Sequence, residues 1–140
     1  MVTIKDSREI SAALSRVWDV VADVDKDPKY WKGLNSVKNI SKSDNVIERE
    51  VTVGFMNHKG RQTVVLDPMK SVEVTMSQGP MIGKRTTVLT PSGEDRTRIE
   101  ISWNFEYSGI PPFVHGMVKR EVQKGTEGAL DRIAKEAGNK

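Results

Sequence analysis

The chain has 140 residues, enough for one domain with a real core and too few for two. It contains no cysteine, which excludes a disulfide framework, thiolate metal sites and cysteine nucleophiles. Its 22 basic and 19 acidic side chains leave +3, spread as +2 over residues 1–70 and +1 over residues 71–140, without the concentrated stripe a nucleic-acid partner requires.

No apolar run approaches the ~20 residues of a membrane-spanning helix. The opening stretch MVTIKDSREI is charged where a secretory signal is apolar, so the expected location is cytoplasmic. Val2 to Ile10 reads as a first strand. Ser11 has the chemistry of a helix cap, and Leu14, Val17, Trp18, Val21 and Val24 then recur at helical spacing. Trp18 is expected to tie this helix to the core. The stretch from Asp25 to Gly33 reads as a second short helix or turn, with Trp31 closing it.

From residue 34 the period changes to two. Six strands are predicted, near 34–41, 46–56, 60–67, 72–78, 83–90 and 96–108, separated by turn-forming stretches such as SDN, DPMK and PSGED. Such short connections make sequential strands antiparallel neighbours. In the last strand Ile99, Ile101, Trp103, Phe105 and Tyr107 share one face and charged or polar residues the other. Pro111 and Pro112 open a long helix to about Ala137, whose stripe runs through Val114, Val118, Val122, Gly125, Ala129 and Ile133. Gly116, Gly125 and Gly128 lie inside this helix, where glycine is unfavourable.

Four features carry a family resemblance: Ile10-Ser11-Ala12, the run Val17-Trp18-Asp19-Val20-Val21 with Asp23, the pair Pro28 and Trp31, and the aromatic last strand followed by a helix from Phe113. On these the chain resembles the START-related, or SRPBCC, superfamily over essentially its whole length. The resemblance implies an α+β helix-grip fold. A seven-stranded curved antiparallel sheet would wrap a long C-terminal helix, with two short helices after strand 1, as one ligand-binding domain spanning residues 1–140. It also implies a cavity between sheet and helix for a hydrophobic small molecule such as a lipid or polyketide. Members of this superfamily share architecture more than chemistry, so the resemblance speaks mainly to fold.

Alternation and helical spacing nominate the lining of such a cavity. The sheet side would be Val53, Phe55, Val64, Val74, Met76, Trp103, Phe105 and Tyr107, with Val51, Leu66 and Val88 as further wall candidates. Met56 and Met81 fall in loops at one end of the sheet, where a flexible thioether suits a ligand mouth. Phe113, Met117 and Glu121 would face it from the helix. Each of these also fits ordinary core packing or a solvated flank, so the cavity expectation rests on the architecture.

Three function classes follow. The first is a carrier or sensor of an apolar molecule. The second is a cyclase or dehydratase using an acid or base in the cavity, for which Glu121 is the candidate and Tyr107, His115 and Arg49 are further inward-facing polar groups. The third is an interaction module with a filled core. No metal site, cofactor or nucleotide loop is signalled, because His58 and His115 lack ligands at metal spacing and GPMIGKRT lacks the spacing of a phosphate loop. The expected partner is one hydrophobic small molecule, without nucleic acid or a transmembrane segment, in a monomer or weak homodimer able to touch a membrane transiently. The basic pairs Lys59/Arg61, Lys84/Arg85 and Lys119/Arg120 read as solvated surface.

Overall fold

The structure is a computed structural model and describes residues 1–54 and 57–138. Alternation along seven segments builds one antiparallel sheet: β1 Val2–Ile10, β2 Leu34–Ser43, β3 Val46–Val53, β4 His58–Asp67, β5 Ser71–Gln78, β6 Met81–Gly93 and β7 Arg96–Tyr107. The order across the sheet is β1-β7-β6-β5-β4-β3-β2, so β2 to β7 form a meander and β1 returns to pair with β7. The register sets Ile4 opposite Trp103 and Arg85 of β6 opposite the same Trp103.

Between β1 and β2 lie α1 (Leu14–Val21), a 3-10 turn (Val24–Lys26) and the short α2 (Asp27–Tyr30). Two local expectations are corrected here. Ala13, in extended conformation, occupies the cap position of α1 and no side chain caps it, so Ser11 does not serve. Val17 and Val20 are the buried residues of α1, and Trp18 is half-buried against the core rather than its anchor. The helix turns its small branched side chains toward the sheet and leaves the large indole at the edge.

The last helix, α3 (His115–Gly138, 24 residues), is preceded by a 3-10 turn over Pro112–Val114. Its buried side chains, Thr126, Ala129, Leu130, Ile133 and Ala137, begin at the middle of the helix and run to its C-terminal end. They meet the concave face of the sheet, where Ile99, Ile101 and Phe105 are fully buried. Surface ion pairs of Arg8 with Asp131 and Lys29 with Glu136 tie β1 and α2 to α3, although exposed pairs of this kind contribute little. Before Thr126 no residue of α3 is fully buried. The sheet therefore grips the helix by one end and leaves space beneath the other.

Gly83 makes the close approach of β6 and β7 feasible. A Cβ there would lie 2.1 Å from the Asn104 carbonyl oxygen and 2.6 Å from Phe105 Cα, and its φ of +154° disfavours any side chain. No helix among the described residues is long and apolar enough to cross a membrane.

Candidate functional site

A cleft of about 610 Å³ occupies the space beneath the N-terminal half of α3. Val51 and Val53 of β3, Gln62 of β4, Met76 of β5, Arg85 of β6 and Trp103 of β7 form its sheet wall. Met117, Val118, Glu121, Val122 and Gly125 form the helix wall. The rim comes from Lys32 to Leu34, Gly54, Pro80 with Met81, and Ile110. Gly125 has nothing within 4 Å of where a Cβ would stand, so its missing side chain enlarges the open space.

The structure gathers six of the residues nominated from sequence on this cleft: Val53, Met76, Met81, Trp103, Met117 and Glu121. Glu121 lies on the exposed flank of α3. Val64, Val74 and Phe105 point inward but pack within the closed core and do not border the cleft. Val64 and Val74 pair with each other farther along the β4–β5 hairpin from the mouth, where side chains already fill the concave face. Tyr107 is half-buried and occupied elsewhere: its ring stacks on His115 at 4.0 Å and its hydroxyl donates to the His115 carbonyl oxygen. Burial raises its pKa above the ordinary phenol value. Phe113 is 88% exposed, because the turn before α3 directs it to solvent. Phe55 and Met56 lie outside the described residues. Of the further wall candidates, Val51 lines the cleft and Leu66 is half-buried in the core, but Val88 is exposed on the convex face. In β6 the inward set is Arg85, Thr87 and Leu89, so the apolar Val88 falls on the outer parity.

Beneath the cleft is a polar cluster that sequence reasoning mostly missed. Arg49 is fully buried. Its Nε and Nη2 donate to Gln62 Oε1 at 3.0 and 2.8 Å, its Nη1 to the Val24 carbonyl oxygen at 3.0 Å, and its Nη2 also to Asp27 Oδ2 at 2.8 Å. Arg85, read from sequence as solvated with Lys84, is corrected to a buried residue, 6% exposed. Its Cζ lies 4.1 Å from the Trp31 ring centroid and 5.5 Å from that of Trp103. The two indoles meet edge to face at 5.7 Å, so the guanidinium has an aromatic cradle. The Trp103 Nε1 donates to Thr126 Oγ1 at 2.9 Å, which fixes that ring against α3. Parity held the missing signal: Arg85 shares its strand face with Leu89 and sits opposite Trp103.

Among the described residues, no group of three or more His, Asp or Glu could hold a metal ion. The arrangement can enclose an apolar body, stack a flat one on indole faces, and offer guanidinium and amide donors at its base.

Residues 1–138 match the model of a family described as polyketide cyclase / dehydrase and lipid transport. No curated protein matches the sequence. Among solved structures, a protein from Thermus thermophilus is similar at a TM-score of 0.81 and 20% identity, over 97% of both chains. The Zhui aromatase/cyclase from a Streptomyces superposes at a TM-score of 0.83 and 14% identity, covering 97% of this chain and 93% of that one. A START superfamily protein from Mycobacterium smegmatis does so at 0.67 and 14% identity, covering 97% and 94%. At these identities the likeness establishes a shared fold, with its seven-stranded sheet and long C-terminal helix.

Proposed function

Because this chain belongs to the polyketide cyclase / dehydrase and lipid transport family, we propose that it binds a hydrophobic small molecule between the sheet and α3 and acts as a carrier or sensor. The observation that carries the reading is the division of α3. Its C-terminal half is packed, while its N-terminal half stands over a cleft of about 610 Å³, within the roughly 300–1,000 Å³ that ligand sites occupy. A largely apolar opening of this size between two elements is where small-molecule sites form.

The enzymatic alternative asks for an acid or base held inside the cleft. Glu121 stands on its exposed flank, while Tyr107 and His115 are engaged with each other and with backbone carbonyls. Binding is therefore the reading the geometry supports best.

Gly125→Phe tests it. The substitution meets no atom within 4 Å at Cβ, replaces a poor helix former and projects an aromatic ring into the cleft. Stoichiometric binding of an environment-sensitive apolar dye to the wild type, lost in Gly125→Phe with melting temperature maintained, is the expected result. Equal dye binding by the two proteins would move the site away from α3.

A further inference from the structure

The base of the cleft holds more positive charge than its own contacts neutralise. Asp27 is 6% exposed and accepts from Arg49 at 2.8 Å, and that pair is complete once Gln62 and the Val24 carbonyl join it. Arg85 reaches the same Asp27 Oδ2 only at 3.5 Å, and its buried Nε has no acceptor among the described residues. One carboxylate thus faces two guanidiniums, and the surplus cation is the one that lines the cleft.

A guanidinium withdrawn from water loses hydration that its new surroundings must replace, and unreplaced donors are costly. The indoles of Trp31 and Trp103 give Arg85 a cation–π contact, but ring faces do not take the place of in-plane acceptors for its N–H groups. Burial pulls the Arg85 pKa down to about 10, with Asp27 pulling it back up and Arg49 pushing it down, so the charge is present at neutral pH but poorly compensated. A purely structural role does not ask for this charge. Asp27 already has a close partner, and a second cation beside it repels Arg49.

Most of the other charged residues of the lining have the same sign. Lys32, Lys124 and Arg132 border the cleft, and Glu121 is the one acidic side chain among its described lining residues. Cations around a low-dielectric opening focus a positive potential into it.

We infer that the molecule held in the cleft is an anionic amphiphile, with an apolar body between sheet and α3 and an oxyanion head on the Arg85 guanidinium. This rests on the binding role proposed above and adds the ligand's charge class. A carboxylate fits the planar fork of donors best, and the acidic hydroxyl of an aromatic ring system presents the same anionic oxygen. The two sources differ in the body they attach: a flexible chain, or flat rings that stack on Trp31 and Trp103.

Matched pairs of probes differing only at the head decide the matter, with affinities measured by dye displacement and calorimetry at neutral pH. One pair is decanoate against 1-decanol, and the other 2-naphthoate against 2-naphthamide. At least one anion should bind the wild type about 10- to 100-fold tighter than its neutral partner, the size of a charge-assisted contact, and the advantage should shrink in high salt. The pair with the larger advantage identifies the chain or the ring as the body. Arg85→Gln should bring the anion-to-neutral affinity ratio down to about one, whatever it does to both affinities, and Arg85→Lys should restore part of that ratio. If Arg85→Gln does not fold, the wild-type pairs alone decide. Neutral probes that bind as tightly as their anions would overturn the anionic assignment and leave the cleft as an apolar site. Failure of all four probes and of the dye would overturn both the assignment and the binding role.

Discussion

Asp27 answers to two guanidiniums from different strands, and its removal has a calculable effect on stability. Asp27→Asn keeps the shape but takes away the carboxylate that, alone among the described residues, pairs with Arg49 and Arg85, all three side chains being less than a tenth exposed. Stripping one partner from a buried ion pair costs about 3–5 kcal/mol, a large part of the 5–15 kcal/mol a domain typically has. Urea denaturation should show a fall of that size. A loss under ~1 kcal/mol would mean that water already reaches the cluster. This residue-scale network was only partly legible in the sequence. Arg49 reads as one of several inward-facing polar groups, but Arg85 follows Lys84 and the pair reads as surface charge. Strand parity alone separates them. The apolar Val88 outside and the polar Arg85 and Thr87 inside invert the usual pattern of β6. Such inversions arise where a site, rather than a core, dictates the side chain.

At the scale of elements, most of the fold could be read because each piece announced itself. The β7 alternation from Ile99 to Tyr107 and the run of turns between strands left one meander consistent with them, and Pro111–Pro112 marked the entry to α3. What the spacing of α3 could not reveal was its division into a gripped part and an open part, since Val118 and Val122 continue the same stripe without being fully buried. Burial depends on what the sheet presents opposite, and one helix does not encode that. Glycines report the difference. Gly116 is exposed with nothing within 4 Å of a Cβ, so Gly116→Ala should stabilise the protein by roughly 0.5–1 kcal/mol. Gly83→Ala should do the reverse, by ~1–3 kcal/mol or more, because its methyl would press on the β7 backbone and its φ is unfavourable. Thermal melts of the two variants side by side give the comparison. Equal shifts would show that β6 can retreat from β7 without penalty.

Across the whole molecule, one pairing stands apart from the rest. Each of β2 to β6 pairs with the strand that follows it, whereas β1 pairs with β7, setting Ile4 against Trp103 and Ile10 against Thr97. Closing that contact spans the entire meander, so its loop entropy must be overcome before any of its contacts reward it. The β1–β7 seam should therefore form late in refolding. Ile4→Ala, at a buried position where such truncation costs about 2–5 kcal/mol, should speed unfolding and leave the refolding rate nearly unchanged. Val72→Ala, inside the local β5 hairpin, should slow refolding instead. Chevron plots of the two variants measure the order directly, and a refolding rate that falls with Ile4→Ala would reverse it. The strand nearest the N-terminus then behaves as a latch. Until it engages, the meander presents β7 as a bare edge, open to a strand from a second chain, so crowded refolding selects for molecules that close this seam quickly.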